Sequence, residues 1–117
     1  MATFVLVHGA WHGGWCWRKV EALLRRYGVS VYAPSLTGMG ERSHLARYID
    51  PAVINLDLHI KDVTELLESE GLERVILVGH AYGGRCQEHR WGRTREETRA
   101  CSERPGGQVA YSPRIMW

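Results

Sequence analysis

The sequence predicts an α/β fold in which a parallel three-stranded sheet, in the order 2-1-3, carries helices on both faces as a partial three-layer sandwich. The alternation of two apolar patterns along the chain predicts it. Within residues 1–84 of the 117-residue chain, three short apolar runs alternate with two stretches of helical apolar spacing. If the chain reverses its direction of winding, right-handed crossovers put the two helices on opposite faces of the sheet. The order 2-1-3 then places strand 1 in the centre and creates a topological switch between strands 1 and 3. Ligand sites in such sheets lie at the carboxyl ends of the strands beside the switch.

Each predicted strand is short, rich in β-branched residues and ended by a residue that breaks strands. Strand 1 covers residues 4–7 and stops at His8-Gly9, and strand 2 covers 29–33 and stops at Pro34. Strand 3 covers 75–78 and stops at Gly79. Continuous rather than alternating apolar runs are typical of parallel strands that are buried on both faces.

Two helices are predicted between these strands from apolar residues spaced three and four apart. The first is predicted to end at Gly28, and the second to begin at Asp50-Pro51 and end at Gly71. Their apolar faces are Trp17, Val20, Leu24 and Tyr27 in the first helix, and Leu56, Ile60, Val63 and Leu67 in the second.

The chain divides at residue 84 into two parts of different composition. The formal net charge of +2 is too small to indicate a nucleic-acid partner. Residues 85–117 nevertheless hold seven arginines and four glutamates, and they contain no leucine, whereas residues 1–84 contain eleven. Residues 85–117 are therefore predicted to be a basic, mostly disordered tail.

Three cysteines in no metal-binding spacing, Cys16, Cys86 and Cys101, favour a reducing compartment. The short apolar run at the start is no secretory signal, and no stretch is long enough to cross a membrane. A cytoplasmic protein without membrane contact is therefore expected. The loop at Gly38-Met39-Gly40 lacks the third glycine of a dinucleotide fingerprint, so no cofactor is expected there.

Gly79-His80-Ala81-Tyr82-Gly83 follows strand 3 and has the glycine frame of a nucleophile elbow. Such a turn holds its middle side chain exposed above the sheet. Here the middle residue is Ala81, whose methyl group can neither attack a carbonyl carbon nor give up a proton. Covalent acyl transfer through this position is therefore excluded. The side chain of His80 is expected to point away from that of Ala81 and to serve packing or hydrogen bonding.

The glycine-rich turn after strand 1, residues 8–14, is predicted to supply the other half of the site. The backbone N–H groups of Ala10 and Tyr82 would together form an oxyanion hole. His8 and His12 stand four apart, but they lie in a turn without an intervening glutamate, so structural roles are favoured over metal binding.

Two runs carry a family resemblance: Phe-Val-Leu-Val-His-Gly-Ala-Trp-His-Gly-Gly-Trp-Cys-Trp from Phe4 to Trp17, and Val-Ile-Leu-Val-Gly-His-Ala-Tyr-Gly-Gly from Val75 to Gly84. Residues 4–84 resemble the N-terminal part of an α/β-hydrolase, most of all small esterases related to plant methylesterases and hydroxynitrile lyases. The resemblance implies a serine–histidine–acid mechanism acting on carboxylic esters. It also implies a pocket lined by Trp11, His12 and His80.

The departures from that pattern lead to the functional expectation. The family has serine where this chain has Ala81, and no residue of 85–117 matches the triad acid or base. A truncated, catalytically silent member of the family is therefore expected. Two alternatives remain: a module that binds a small ester, a carboxylate or a partner strand, and a functionless product of a disrupted reading frame. Self-association through the exposed edge of strand 3 is also expected.

Overall fold

The computed structural model describes residues 2–72, 74–88 and 108–112. Its sheet contains four strands in the order β2-β1-β3-β4. The strands are β1 (Thr3–Val7), β2 (Ser30–Tyr32), β3 (Val75–Gly79) and β4 (Gln108–Ser112). β1 pairs in parallel with both β2 and β3, which confirms the predicted order 2-1-3. The ends of β1 and β3 lie side by side, because Val7 is opposite Gly79 in the register.

Three α-helices accompany the strands: α1 (Arg18–Arg26), α2 (Leu56–Ser69) and α3 (Tyr82–Glu88). Two 3-10 helices, Gly14–Trp17 and Gly40–Arg47, lie in the segments that follow β1 and β2. The predicted glycine ends of the first two helices are confirmed. Gly28 and Gly71 have φ angles of 74° and 61°, in the left-handed region where a helix commonly stops.

The predicted start of the second helix, with Asp50 as its N-cap, is wrong by five residues. α2 begins at Leu56, and the side chain of Asn55 caps it by accepting a hydrogen bond from the Leu58 N–H at 3.1 Å. Asp50 instead stabilises a separate turn, in which its carboxylate accepts from the Ala52 N–H at 2.9 Å. Both residue types cap backbone N–H groups, so the sequence offers two starts, and the apolar stripe of α2 fits the later one.

One face of the sheet is closely packed. The side chains of β1 and β3 that point towards α2 and α3 form a single buried core with them. The buried members are Val5, Val7, Leu36, Ile60, Val63, Leu67, Val75, Leu77 and Cys86. The predicted apolar face of the second helix is thereby confirmed as core at Ile60, Val63 and Leu67.

The α1 side of the sheet is less covered among the described residues. Right-handed crossovers in the order 2-1-3 put α1 on the face opposite α2. No residue of α1 is buried, and Tyr27, predicted as part of its packed face, is 84% exposed. Val20 is also exposed. The helical spacing of this segment was therefore predicted correctly, but its burial was not.

Residues 85–117 contain regular structure that the sequence analysis does not predict. α3 continues to Glu88, and β4 pairs antiparallel with β3 from Val75 opposite Ser112 to Gly79 opposite Gln108. The far edge of β3 is therefore covered, so it is not the free edge expected for self-association. The predicted disorder of residues 89–107 and 113–117 falls outside the described residues. No described helix combines the length and apolarity that crossing a membrane requires.

Candidate functional site

The turn between β3 and α3 has the geometry of a strained elbow. Ala81 has a φ of 51°, one of two positive values among described residues other than glycine. The left-handed conformation costs an alanine about 1–2 kcal/mol, so the surrounding contacts must hold it. They are visible: the His80 N–H donates to the Val7 carbonyl at 3.0 Å, and the Gly84 N–H donates to the Ala81 carbonyl at 3.0 Å.

Gly83 lets this turn press against the end of β1. A Cβ at position 83 would stand 2.6 Å from the His8 carbonyl oxygen and still closer to the Val7 carbonyl oxygen. Real Cβ atoms do not approach backbone oxygens so closely, and a backbone cannot move aside as a flexible side chain can. The elbow glycine at this position therefore has a packing reason, which is to bring the first turn of α3 against β1.

The turn after β1 lies directly beside Ala81. A Cβ built on Gly9 would stand 3.4 Å from the Ala81 Cβ. The turn closes with a 3.4 Å hydrogen bond from the His12 N–H to the Gly9 carbonyl, and Trp11 within it has a φ of 67°. Neither the Ala10 N–H nor the Tyr82 N–H donates to a backbone carbonyl or a side chain of the described residues.

Four ring-bearing side chains, those of Trp11, His12, Trp15 and His80, are exposed around these two turns. Trp11 is 95% exposed. The rings of His12 and Trp15 lie 5.7 Å apart, and those of His12 and His80 lie 6.4 Å apart. A Cβ built on Gly9 would lie 3.1 Å from His80 Nδ1 and 3.4 Å from the Ala81 Cβ, so both side chains border the turn after β1.

His8, by contrast, is completely buried under the first turn. Its Nδ1–H donates to the Gly9 carbonyl at 2.7 Å, and its Nε2 accepts from the Leu36 N–H at 2.9 Å. A ring nitrogen that accepts from a backbone N–H must be unprotonated, so this histidine is neutral. Burial lowers the pKa of His8 below its ordinary value, which favours the same state. The structural role predicted for His8 agrees with this geometry.

A second buried histidine links α2 to the elbow, and sequence reasoning missed it. The His59 Nε2–H donates to the Thr37 carbonyl at 2.9 Å, and the Tyr82 hydroxyl donates to His59 Nδ1 at 2.8 Å. Burial raises the pKa of the Tyr82 phenol, so the hydroxyl keeps the proton that it donates. The side chain of Tyr82, the residue after Ala81, is thereby held in place by a hydrogen bond to α2.

Two carboxylates fix the loop that follows β2, and these also were missed. Asp62 accepts from the Thr37 N–H at 2.6 Å and from the Thr37 hydroxyl at 2.7 Å. Glu41 accepts from the Ser35 hydroxyl at 2.5 Å, and this hydrogen bond lowers the pKa of Glu41. Ser35 in turn accepts from the Gly14 N–H at 2.9 Å. The loop is thus tied both to α2 and to the turn after β1.

The sequence does contain a signal for these missed residues. His59 and Asp62 are polar residues next to the apolar stripe of α2. Apolar packing does not require polar side chains at these positions, so another role is indicated. Ser35 and Thr37 follow β2 at the carboxyl edge of the sheet. What the sequence does not show is that these two groups meet, since they are more than 20 residues apart.

The described residues contain no cluster of three or more histidine, cysteine, aspartate or glutamate side chains that would hold a metal ion. An open depression of about 500 Å³ lies beside the start of α2, where it is lined by residues such as Val53 and Lys61. It includes none of the predicted site residues, so it is separate from the two turns.

Comparison with known proteins agrees with this architecture. The model of the alpha/beta hydrolase family matches residues 4–115, so the chain belongs to the α/β-hydrolase family. It is 54% identical over 84 residues to a carbendazim hydrolyzing esterase of Nocardioides sp. (strain SG-4G), covering 72% of this chain and 33% of the relative. It is 43% identical over 84 residues to putative methylesterase 11, chloroplastic, of Arabidopsis thaliana, covering 71% of this chain and 20% of that one.

Solved structures give the same result. The crystal structure of polyneuridine aldehyde esterase superposes with a TM-score of 0.63 at 31% identity, over 74% of this chain and 33% of that one. Tomato methylketone synthase I, complexed with 2-tridecanone, superposes with a TM-score of 0.59 at 40% identity, over 71% and 31% of the two chains. The chain therefore spans about a third or less of the length of the relatives that it matches.

Proposed function

We propose that this chain carries an esterase-type acyl site that has lost its nucleophile, and that the site binds a small carboxylic ester or carboxylate without cleaving it. The observation that carries the proposal is Ala81. Its backbone keeps the left-handed conformation of an elbow, at φ 51°, although a methyl group gains nothing from being displayed there. The resemblance to esterases supports the choice of ligand class.

The chemical part of the proposal follows from the atoms at the elbow. Acyl transfer through a nucleophile elbow needs an oxygen or sulfur atom at the middle position, and the Ala81 methyl provides neither. Removing such a nucleophile alone costs on the order of 10⁶-fold in turnover. An ester bound beside Ala81 therefore meets no group on the elbow that can form an acyl-enzyme.

The binding part rests on the groups around Ala81. The N–H groups of Ala10 and Tyr82 have no acceptor among the described residues, and preorganised N–H donors stabilise a carbonyl or carboxylate oxygen. Trp11 and Trp15 expose aromatic surface beside them, which suits the apolar portion of such a ligand.

The two parts are tested by one titration of the full chain with phenylacetate and with its methyl ester. We expect saturable shifts of the Ala10 and Tyr82 amide signals in heteronuclear NMR spectra. We also expect no acyl adduct by intact-protein mass spectrometry, no labelling by a fluorophosphonate probe and no methanol release above the buffer rate.

A matched pair of glycine variants makes the titration specific. Gly9→Ala inserts a methyl group 3.1 Å from His80 Nδ1 and 3.4 Å from the Ala81 Cβ, so it should weaken binding. Gly71→Ala adds the same methyl group where nothing lies within 4 Å, so it should leave binding unchanged. Covalent labelling of the unmodified chain would refute the loss of catalysis, and unshifted amide signals at saturating ligand would refute the binding.

A further inference from the structure

Two exposed imidazoles meet at the carboxyl edge of the sheet, although they are 68 positions apart in the sequence. His12 belongs to the turn after β1, and His80 follows β3, the neighbouring strand. Their ring centroids lie 6.4 Å apart, with the ring planes nearly perpendicular. Neither ring takes part in the buried polar network beneath the turns.

The ring nitrogens of this pair are available for a ligand. His12 Nδ1–H donates to the Ala10 carbonyl at 2.9 Å, which fixes the tautomer and leaves the Nε2 lone pair free. A histidine that binds a metal through one ring nitrogen usually donates the N–H of the other nitrogen to an oxygen acceptor in this way. His80 makes no hydrogen bond through either ring nitrogen to the described residues. His8 and His59 differ in that both nitrogens of each ring are occupied.

The separation of the rings allows one shared ion only when the two coordinating nitrogens lie on opposite sides of it. A metal–nitrogen bond of about 2.0–2.1 Å added to the radius of an imidazole places a ring centroid about 3.2 Å from its ion. Two rings with centroids 6.4 Å apart are therefore at the upper limit for sharing an ion. Opposite positions of a square-planar ion have this separation, and because both side chains are exposed, rotation about their side-chain bonds can bring the rings nearer, as a tetrahedral angle requires.

The ligand type selects the class of cation. Imidazole nitrogen suits copper, nickel and zinc, whereas calcium and magnesium prefer oxygen ligands. We propose that His12 and His80 together form a two-imidazole site for a divalent transition cation, which binds Cu²⁺ most tightly, with water in the remaining coordination positions. The order of affinities among these cations makes Cu²⁺ the strongest binder for a site of this kind. The proposal does not depend on whether the elbow binds an ester.

The test is a titration of the full, untagged chain with CuCl₂, followed by tryptophan fluorescence and by electron paramagnetic resonance. Because the Trp15 ring lies 5.7 Å from that of His12, a Cu²⁺ ion at this site should quench indole emission. We expect one equivalent to bind, with two coordinated imidazole nitrogens in the spectrum. His12→Ala and His80→Ala should each weaken binding by at least about tenfold, since loss of a mere supporting contact already costs that much.

Two histidine variants outside the pair serve as controls. His44→Ala removes an exposed imidazole from the 3-10 helix Gly40–Arg47, and His89→Ala removes the last histidine of the sequence. Both variants should bind Cu²⁺ with unchanged affinity. The proposal is overturned if affinity survives in both His12→Ala and His80→Ala, or if either control variant loses the site. Circular dichroism establishes that each variant remains folded, which is expected because His12 and His80 are exposed.

Discussion

The carboxyl edge of the sheet has a buried layer and an exposed layer, and histidines occur in both. In the buried layer, His8 and His59 use both ring nitrogens to connect β1, α2, the elbow and the loop after β2. In the exposed layer, His12 and His80 leave ring nitrogens free beside Ala81. Internal contacts therefore hold both ring nitrogens of each histidine in the buried layer, whereas the rings of the exposed layer make fewer contacts with the described residues.

The largest effect should come from a side chain at position 83, where the first turn of α3 packs against β1. Gly83→Val would drive a branched side chain into the Val7 and His8 carbonyl oxygens, and overpacking of this kind costs about 3 kcal/mol. Urea denaturation measures the free energy of unfolding. Gly71→Ala is the matched control: its φ of 61° makes the substitution cost about 1–2 kcal/mol, from backbone strain alone. Equal losses in the two variants would contradict the packing role of Gly83.

His8→Leu should cost about 2 kcal/mol of unfolding free energy, because the buried Leu36 N–H loses its acceptor. It should also change the pH dependence. Burial lowers the pKa of His8, so the unfolded chain takes up this proton at a higher pH than the native chain does. The contribution of His8 to stability is therefore complete above pH 6.5 and is lost as the pH falls through the lowered native pKa.

The pH effect is measured as the difference between the variant and the unmodified chain in urea denaturation from pH 7.5 to pH 5. The slope due to one histidine is at most about 1.4 kcal/mol per pH unit. Gly71→Ala, which changes no titratable group, should keep the slope of the unmodified chain. A His8→Leu variant that loses stability in acid as steeply as the unmodified chain would show that His8 is not the responsible group.

A smaller loss, about 1 kcal/mol, is expected for Asp62→Asn. The amide retains one acceptor for Thr37 but loses the charge that strengthens both hydrogen bonds and attracts Arg42, whose Nη1 lies 3.7 Å away. Glu65→Gln on an exposed position of the same helix should change the free energy of unfolding by less than about 0.5 kcal/mol. If both variants lose the same amount, Asp62 has no special role in holding the loop.

The smallest effect is predicted for the exposed layer. His80→Ala should change the free energy of unfolding by no more than about 0.5 kcal/mol, since the imidazole is exposed and makes no hydrogen bond to described residues. The same denaturation series measures it. A loss above 1 kcal/mol would assign His80 to the scaffold and would remove the distinction between the two layers.

The sheet could be predicted because its signals are local. Residues 4–7 and 75–78 are continuous apolar runs, and a chain with two intervening helices has few ways to connect them. β4 could not be predicted in this way. Its segment, Gln108–Ser112, has an apolar run of only three residues, and its pairing with β3 joins residues that are 29 to 37 positions apart. The start of α2 was missed because Asp50 and Asn55 offer equally good caps.

The sequence by itself determined the chemistry of the elbow, because the absence of a hydroxyl at position 81 is a property of the residue and not of its surroundings. Together with right-handed crossovers and a reversal of winding, it also predicted the order 2-1-3 of the first three strands. Only the tertiary structure decided which histidines are scaffold and which face solvent. Burial and the partners of each ring nitrogen depend on segments that are distant in sequence. The sequence alone therefore does not distinguish the buried pair, His8 and His59, from the exposed pair, His12 and His80.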